Sequence, residues 1–374
     1  WVGGTASMNE IMKAMAVDSM ASASLLSGAV TLAKIFGTFV AAFFAVKLGI
    51  KRAFFVSAVL VGVGVLTPVA PNYELLLLSR FIMGLGGALM VVYFNPIVLH
   101  WFSAEQRPVV NGLNAVAFNI GTAIVLWFMP QINQLSGGWQ ASLVAFSLAS
   151  LLMAGLWLLV KFDSADSDAK AGASEQTPYS YRDGLRDKFN WVYALSYGGL
   201  LAFYICLFTF YPQAGISHSK WVIGSGIFGT VAGIMFCQQV SLRIPVIRWS
   251  GLAITLSIIC LTFIDNSALQ LLAAMFLGFF IFLPMTALIT LPQELPGMNT
   301  QRITVVFSLF WSISYLFATV ALWIFGKLVD LNQGDFGPSF IFITVLSTSL
   351  FVGSFWLPET ANAHKQSIQP QEAV

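Results

Sequence analysis

One lysine in the middle of a long apolar stretch is the residue in this sequence best placed to do chemistry. Lys34 stands twelve residues from Ser22 and twelve from Val46, so in a helix it lies about 18 Å from either end. That is too deep for its ammonium to reach an interface. Steps of three and four put Ser27, Thr31, Gly37, Thr38 and Ala41 on its face, with Leu25, Leu32, Phe36, Phe39 and Phe43 opposite. A cation among small polar groups suits a helix that lines a cavity, because an ionisable residue at membrane depth is functional by default. The structural alternative is an ion pair with an acid on a helix outside this sequence.

Other polar residues in apolar runs extend the candidate site. Arg80 sits about 9 Å inside its helix, with Gly84, Gly87, Val91 and Asn95 following on the same side. It either faces a cavity or braces helix packing, which the glycines favour. Asn111, Ala115, Asn119 and Thr122 form a polar arc on the next helix, and Asn119 is the deeper of the two asparagines. Further on, Tyr193, Tyr197, Tyr204 and Tyr211 share a face, and Ser308, Trp311, Ser312, Tyr315 and Thr319 form a second stripe. The expected substrate contacts are Lys34, Arg80, Asn95, Asn119, Tyr197, Tyr204, Trp311 and Tyr315.

The missing chemistry narrows the function. All sixteen acidic residues fall in loops, tails or helix ends, so no mid-depth carboxylate can carry a proton. His100, His218 and His364 are scattered, and Cys206, Cys237 and Cys260 have no paired spacing. An enzyme needs a nucleophile and base, or a metal cluster, at one depth; none is expected here, and neither is a cofactor or a metal site. Met8, Met12, Met15 and Met20 could serve a soft metal ion, and they keep a metal or cationic solute open as an alternative cargo, although ordinary packing explains them. Lys34 and Arg80 without a facing acid favour a small anion.

These residues need membrane helices to position them. With 57% hydrophobic and 9% charged residues in 374, and a mean hydropathy of +0.81, the chain has too few charges for a solvated globular surface. Apolar runs of roughly 20 residues fit a bilayer core about 30 Å thick. They predict eleven helices, near 22–46, 53–69, 75–99, 110–132, 140–160, 190–212, 220–240, 250–264, 268–291, 303–326 and 338–357. Trp1 to Asp18 reads as a helix end followed by a polar loop, as though a first helix preceded it. The charged, Ser- and Gly-rich segment from Lys161 to Phe189 reads as a solvated linker. The domain reading is therefore an all-α membrane protein with an N-terminal bundle at 1–160, a linker at 161–189, a C-terminal bundle at 190–357 and a tail at 358–374.

Placing the linker in the cytoplasm puts thirteen basic residues, Lys47, Lys51, Arg52 and Arg107 among them, on that side, against Lys13, Lys220 and Lys327 outside. This positive-inside bias predicts a bacterial inner-membrane protein with linker and C-terminus cytoplasmic. The net charge of +2 then reports topology and implies no nucleic-acid partner. The partners expected are the bilayer and a small solute, with the protein a monomer.

Two motifs carry a family likeness. AFFAVKLGIKR (Ala42 to Arg52) resembles the Gly-x-x-x-Asp-Arg-x-Gly-Arg-Lys signature of the major facilitator superfamily: Gly49, Lys51 and Arg52 match and Lys47 fills the basic slot, while Val46 replaces the Asp and Ala42 the first Gly. RFIMGLGG (Arg80 to Gly87) is similar to the Arg-x-x-x-Gly-x-Gly signature of the family's fourth helix, through Arg80, Gly84 and Gly86. The run Phe94 to Ala123 looks like the nitrate/nitrite and cyanate-type anion porters, and the Gly-Pro-x-x-Gly-Gly motif of drug antiporters is absent between Asn111 and Pro130. The resemblance implies two pseudo-symmetric six-helix bundles working by alternating access, with Gly49, Lys51, Arg52, Gly84 and Gly86 in gating or packing roles. It implies a secondary transporter with the solute held near the midplane.

Overall fold

Runs of about 20 apolar residues have no way to satisfy their backbone in lipid except as helices, and helices are what the computed structural model contains. It describes residues 2–17, 20–161, 179–216 and 218–360. Two short helices, α1 (Val2–Ala6) and α2 (Met8–Ala14), precede five long elements. These are α3 (Met20–Leu48), α4 (Ile50–Gly62, continued by a 3₁₀ stretch Val63–Val69), α5 (Tyr73–Trp101), α6 (Arg107–Ser136) and α7 (Trp139–Leu158). After the linker come α8 (Tyr181–Arg186), α9 (Lys188–Thr209), α10 (Ser219–Gln239), α11 (Ile244–Phe263), α12 (Ser267–Phe282) and α13 (Met285–Gln293). The last are α14 (Thr300–Leu331), α15 (Gly337–Ser347) and α16 (Ser349–Gly353).

Ten of the described segments are long and apolar enough to cross a membrane, and Gly337–Gly353 is a shorter apolar one. Each of the eleven predicted helices has its counterpart. Local chemistry sets the ends. Gly49, at φ 75°, turns the chain between α3 and α4. Asn266 caps α12 by accepting from the Ala268 and Leu269 N–H groups.

Three details differ from the sequence expectation. The loop expected before Asp18 is largely helical, because Ile11 on α2 is fully buried. It packs with Leu26, Leu76, Met129, Trp139 and Leu143, and Met8 and Met15 sit against the same cluster. The helix expected at 268–291 is split into α12 and α13 at Pro284, whose ring and missing N–H interrupt the ladder. The described end of the linker segment forms α8, whose few polar residues gave no periodic signal; residues 162–178 of the linker and 361–374 of the tail lie outside the described residues.

Contacts divide the chain into two compact units that do not follow the linker. Unit 1 comprises 1–97, 124–184 and 300–312; unit 2 comprises 98–123, 185–299 and 313–374. Helices α5, α6 and α14 thus contribute to both. Within unit 1, glycines set the helix spacing: a Cβ on Gly84 would lie 3.0 Å from Val30 and Ala33 of α3, and one on Gly86 would lie 2.5 Å from the Ser57 carbonyl oxygen of α4. Within unit 2, Glu294 at the end of α13 grips Arg243 ahead of α11, accepting from Nε at 3.1 Å and Nη2 at 2.8 Å, while Thr360 Oγ1 donates to the same carboxylate at 2.9 Å. Burial alone would lower the Arg243 guanidinium, but the hydrogen bonds and charge of Glu294 carry it above its ordinary value.

Candidate functional site

Lys34 lies midway along α3 and is half-buried. The helix sorts its residues by face, as the periodicity required. Gly37, Thr38 and Ala41 are buried, whereas Leu25, Leu32, Phe36, Phe39 and Phe43 are each about half exposed, at 48–58%. The Lys34 face therefore turns into the protein and the Phe face outward. One turn on, Thr38 Oγ1 donates to the Lys34 carbonyl at 2.7 Å and pairs with Ser312 Oγ of α14 at 2.9 Å. Trp311 stands beside Ser312 on α14 and meets Phe310 edge-on at 5.0 Å. Unit 1 thus places an ammonium-bearing turn of α3 next to a turn of α14 that carries Trp311 and Ser312.

Arg80 is 2% exposed, and its Nε donates to the Leu26 carbonyl of α3 at 2.8 Å. Its guanidinium packs so closely on α1 that a Cβ on Gly4 would lie 1.9 Å from Nη1. The side chain ties α1, α3 and α5 together and borders a cavity of about 90 Å³ lined also by Thr67, Met83 and Ser147. Asn95, 3% exposed, turns its amide to the Val91 carbonyl of its own helix at 3.0 Å.

In unit 2, Asn119 is fully buried and its Nδ2 donates to Thr230 Oγ1 of α10 at 3.1 Å. Two turns earlier on α6, Asn111 Nδ2 reaches Thr290 Oγ1 and Gln293 Oε1 of α13, both at 3.0 Å. Between them, Gly112 lies against Ile234, with no room for a Cβ. These contacts hold the first half of α6 to α10 and α13, and no sequence spacing announced them, because the partners are more than a hundred residues apart.

Tyr197 and Tyr204 lie on α9 and Tyr315, 9% exposed, on α14, all in unit 2. Tyr204 meets Phe208 and Phe282 edge-on, at 5.1 and 6.1 Å. Tyr193, on the same stripe, is turned into packing, its hydroxyl donating to the Leu288 carbonyl at 2.8 Å. The three phenols offer hydroxyl groups and ring faces.

The motif residues serve geometry. Gly49 makes the turn before α4; Lys51 is half-buried, its carbonyl accepting from Trp157 Nε1 at 3.1 Å, and Arg52 is exposed. Gly84 and Gly86 admit α3 and α4 on two sides of α5. Among the described residues no group of three or more His, Cys, Asp or Glu is arranged to hold a metal ion.

The sequence matches the profile of the Major Facilitator Superfamily over residues 4–319. The chain belongs to that superfamily. A protein of Campylobacter jejuni is 27% identical over 274 residues, covering 69% of this chain and 84% of its own. A major facilitator superfamily transporter of Mycoplasma genitalium is 22% identical, over 75% of this chain and 55% of its own. Among solved structures, the E. coli fucose:proton symporter FucP aligns over 96% of both chains with a TM-score of 0.71 and 16% identity. The proton:xylose symporter XylE aligns over 97% and 94% with a TM-score of 0.73 and 14% identity. At such identities the likeness to the solved structures shows the fold alone; that the chain is a transporter and not an enzyme rests on its membership of the superfamily over residues 4–319.

Proposed function

We propose that this major facilitator carries a small anion across the bacterial inner membrane by alternating access of two bundles, 1–160 and 190–357, with Lys34 as the anion contact. The observation that supports this best is the position of Lys34. A charge at mid-bilayer depth costs at least about 2.5 kcal/mol, and the residues that share its face are small or hydroxylated. The interior of the described spans holds lysine and arginine, at Lys34 and Arg80, while the acids Glu74 and Asp330 stand at helix ends. Such an interior has a positive potential that concentrates anions. Arg80, held by Leu26 and Gly4, adds to that field from within the scaffold.

Purified protein should be screened for thermal stabilisation by nitrate, nitrite, cyanate and small carboxylates. An anion that binds the folded state adds RT ln(1 + [L]/Kd), about 2.7 kcal/mol at a hundred times Kd. Lys34→Ala should lose that shift and the matching uptake into liposomes while the apo protein still unfolds cooperatively. If Lys34→Ala keeps both the ligand shift and uptake, the anion reading is wrong.

A further inference from the structure

The segment that leads into α9 is fastened to the helix that carries Lys34. Ser180 and Asp183 form a reciprocal cap: Asp183 Oδ2 accepts from the Ser180 N–H at 2.9 Å and from Ser180 Oγ at 2.6 Å, and the Asp183 N–H donates to Ser180 Oγ at 3.3 Å. The cap fixes Tyr181 as the first residue of α8. From there the Tyr181 hydroxyl donates to the Phe39 carbonyl and accepts from the Ala42 N–H at 3.1 Å. Its ring stacks on Phe39, with centroids 5.6 Å apart and planes at 28°. Burial raises the Tyr181 phenol above its ordinary value, so the hydroxyl keeps its proton and its capacity to donate.

Tyr179, two residues earlier, holds the start of α14. The Arg302 guanidinium lies 5.1 Å from its ring, and Gln301 Nε2 donates to its carbonyl at 3.4 Å. Residues 179–183 therefore grip α3 and α14 at once, and the same two helices are joined by the Thr38–Ser312 pair. All of these contacts lie within unit 1.

A side chain that engages main-chain groups inside a helix marks a place where the ladder can open and the helix bend. Tyr181 does this at Phe39 and Ala42, and Thr38 does it at the Lys34 carbonyl one turn away. The stretch Lys34 to Ala42 is thus the part of α3 whose shape depends on groups brought from elsewhere in the chain.

We propose that Tyr181 is a positioning residue for transport: a clasp whose hydroxyl holds α3 to the 179–183 segment, which Tyr179 ties to α14, and whose release permits the Thr38–Ser312 contact to open. The proposal rests on the transporter reading above but not on which solute is carried.

The test uses protein purified in detergent with Cys206, Cys237 and Cys260 changed to Ser and Ser312→Cys introduced. The rate of N-ethylmaleimide labelling then reads how often α3 and α14 part. Adding Tyr181→Phe keeps the ring stack and removes both hydroxyl bonds. It should raise labelling at position 312 roughly tenfold or more, as expected for two neutral hydrogen bonds, and should speed amide exchange at Phe39 to Phe43. Tyr179→Phe, which keeps the ring and carbonyl that α14 uses, should leave the rate unchanged. A Ser257→Cys reporter, buried in α11, should be unaffected by either change. Unchanged labelling at 312 in Tyr181→Phe, or an equal rise at 257, would overturn the clasp. Since no solute is added, either result stands apart from the outcome of the anion screen.

Discussion

Three glycines on one helix, Gly84, Gly86 and Gly87 of α5, test how this fold is held together. Replacing glycine by alanine inside a helix favours the helix by about 0.5–1 kcal/mol, and that gain is the same at all three positions. What differs is the space. A Cβ at Gly87 meets nothing within 4 Å, one at Gly84 meets Val30 and Ala33 at 3.0 Å, and one at Gly86 meets the Ser57 oxygen at 2.5 Å and the Val61 nitrogen at 2.6 Å. Backbone cannot rotate away, so Gly86→Ala must push α4 off α5, and such overpacking costs about 1–3 kcal/mol. Gly87→Ala should therefore be more stable than the parent and Gly86→Ala less. The two should differ by about 1–3 kcal/mol, since the helix gain cancels between them, and Gly84→Ala should fall in between. Denaturant titration in mixed micelles, followed by tryptophan fluorescence, measures the order. Equal stability of Gly86→Ala and Gly87→Ala would refute the claim that the motif glycines act by letting helices approach.

The Arg243–Glu294 pair, with side chains 7% and 10% exposed, should show strong coupling: Arg243→Ala and Glu294→Ala should each cost about 3–5 kcal/mol. The double variant should cost far less than their sum, and additive losses in thermal unfolding would show the pair to be incidental. For topology, single cysteines at Gly49 and Gly297 should resist an impermeant maleimide in intact cells, while His218 and Gly334 react. Labelling at Gly49 would reverse the orientation assigned from charge.

The fold was largely legible because lipid leaves a sequence few choices. Length and hydropathy located ten long spans and the shorter apolar Gly337–Gly353, and the 3.6-residue period sorts Lys34 from the Phe face of α3. What resisted reading were the pairings. Asn119 was expected at a ligand; its Nδ2 donates to Thr230, on a helix 111 residues away, while its buried Oδ1 has no hydrogen-bond partner among the described residues, and spacing along one helix says nothing of either. Arg80 left two readings open, and it took the position of the Leu26 carbonyl and of Gly4 to show the brace. Tyr181 lies in a segment whose composition resembles a linker, and its contacts depend on where α3 passes. The two-residue motif matches at Gly84 and Gly86 signalled packing, but only the separate neighbours of each, α3 for one and α4 for the other, explain the spacing.

Gly229 and Gly233 on α10 and Gly278 on α12 bring two backbones into direct contact. A Cβ on Gly229 would lie 2.1 Å from the Phe279 oxygen, one on Gly233 2.3 Å from the Leu283 oxygen, and one on Gly278 2.1 Å from the Val222 oxygen. Each carbonyl rests in a notch that only glycine provides, at distances where Cα–H groups can meet it. Two rods keyed at several points can neither slide nor roll past each other, so α10 and α12 form a single strut. A strut transmits displacement without absorbing it. Movement of α10 should therefore carry α12 with it as far as Pro284, where the helix ends before α13.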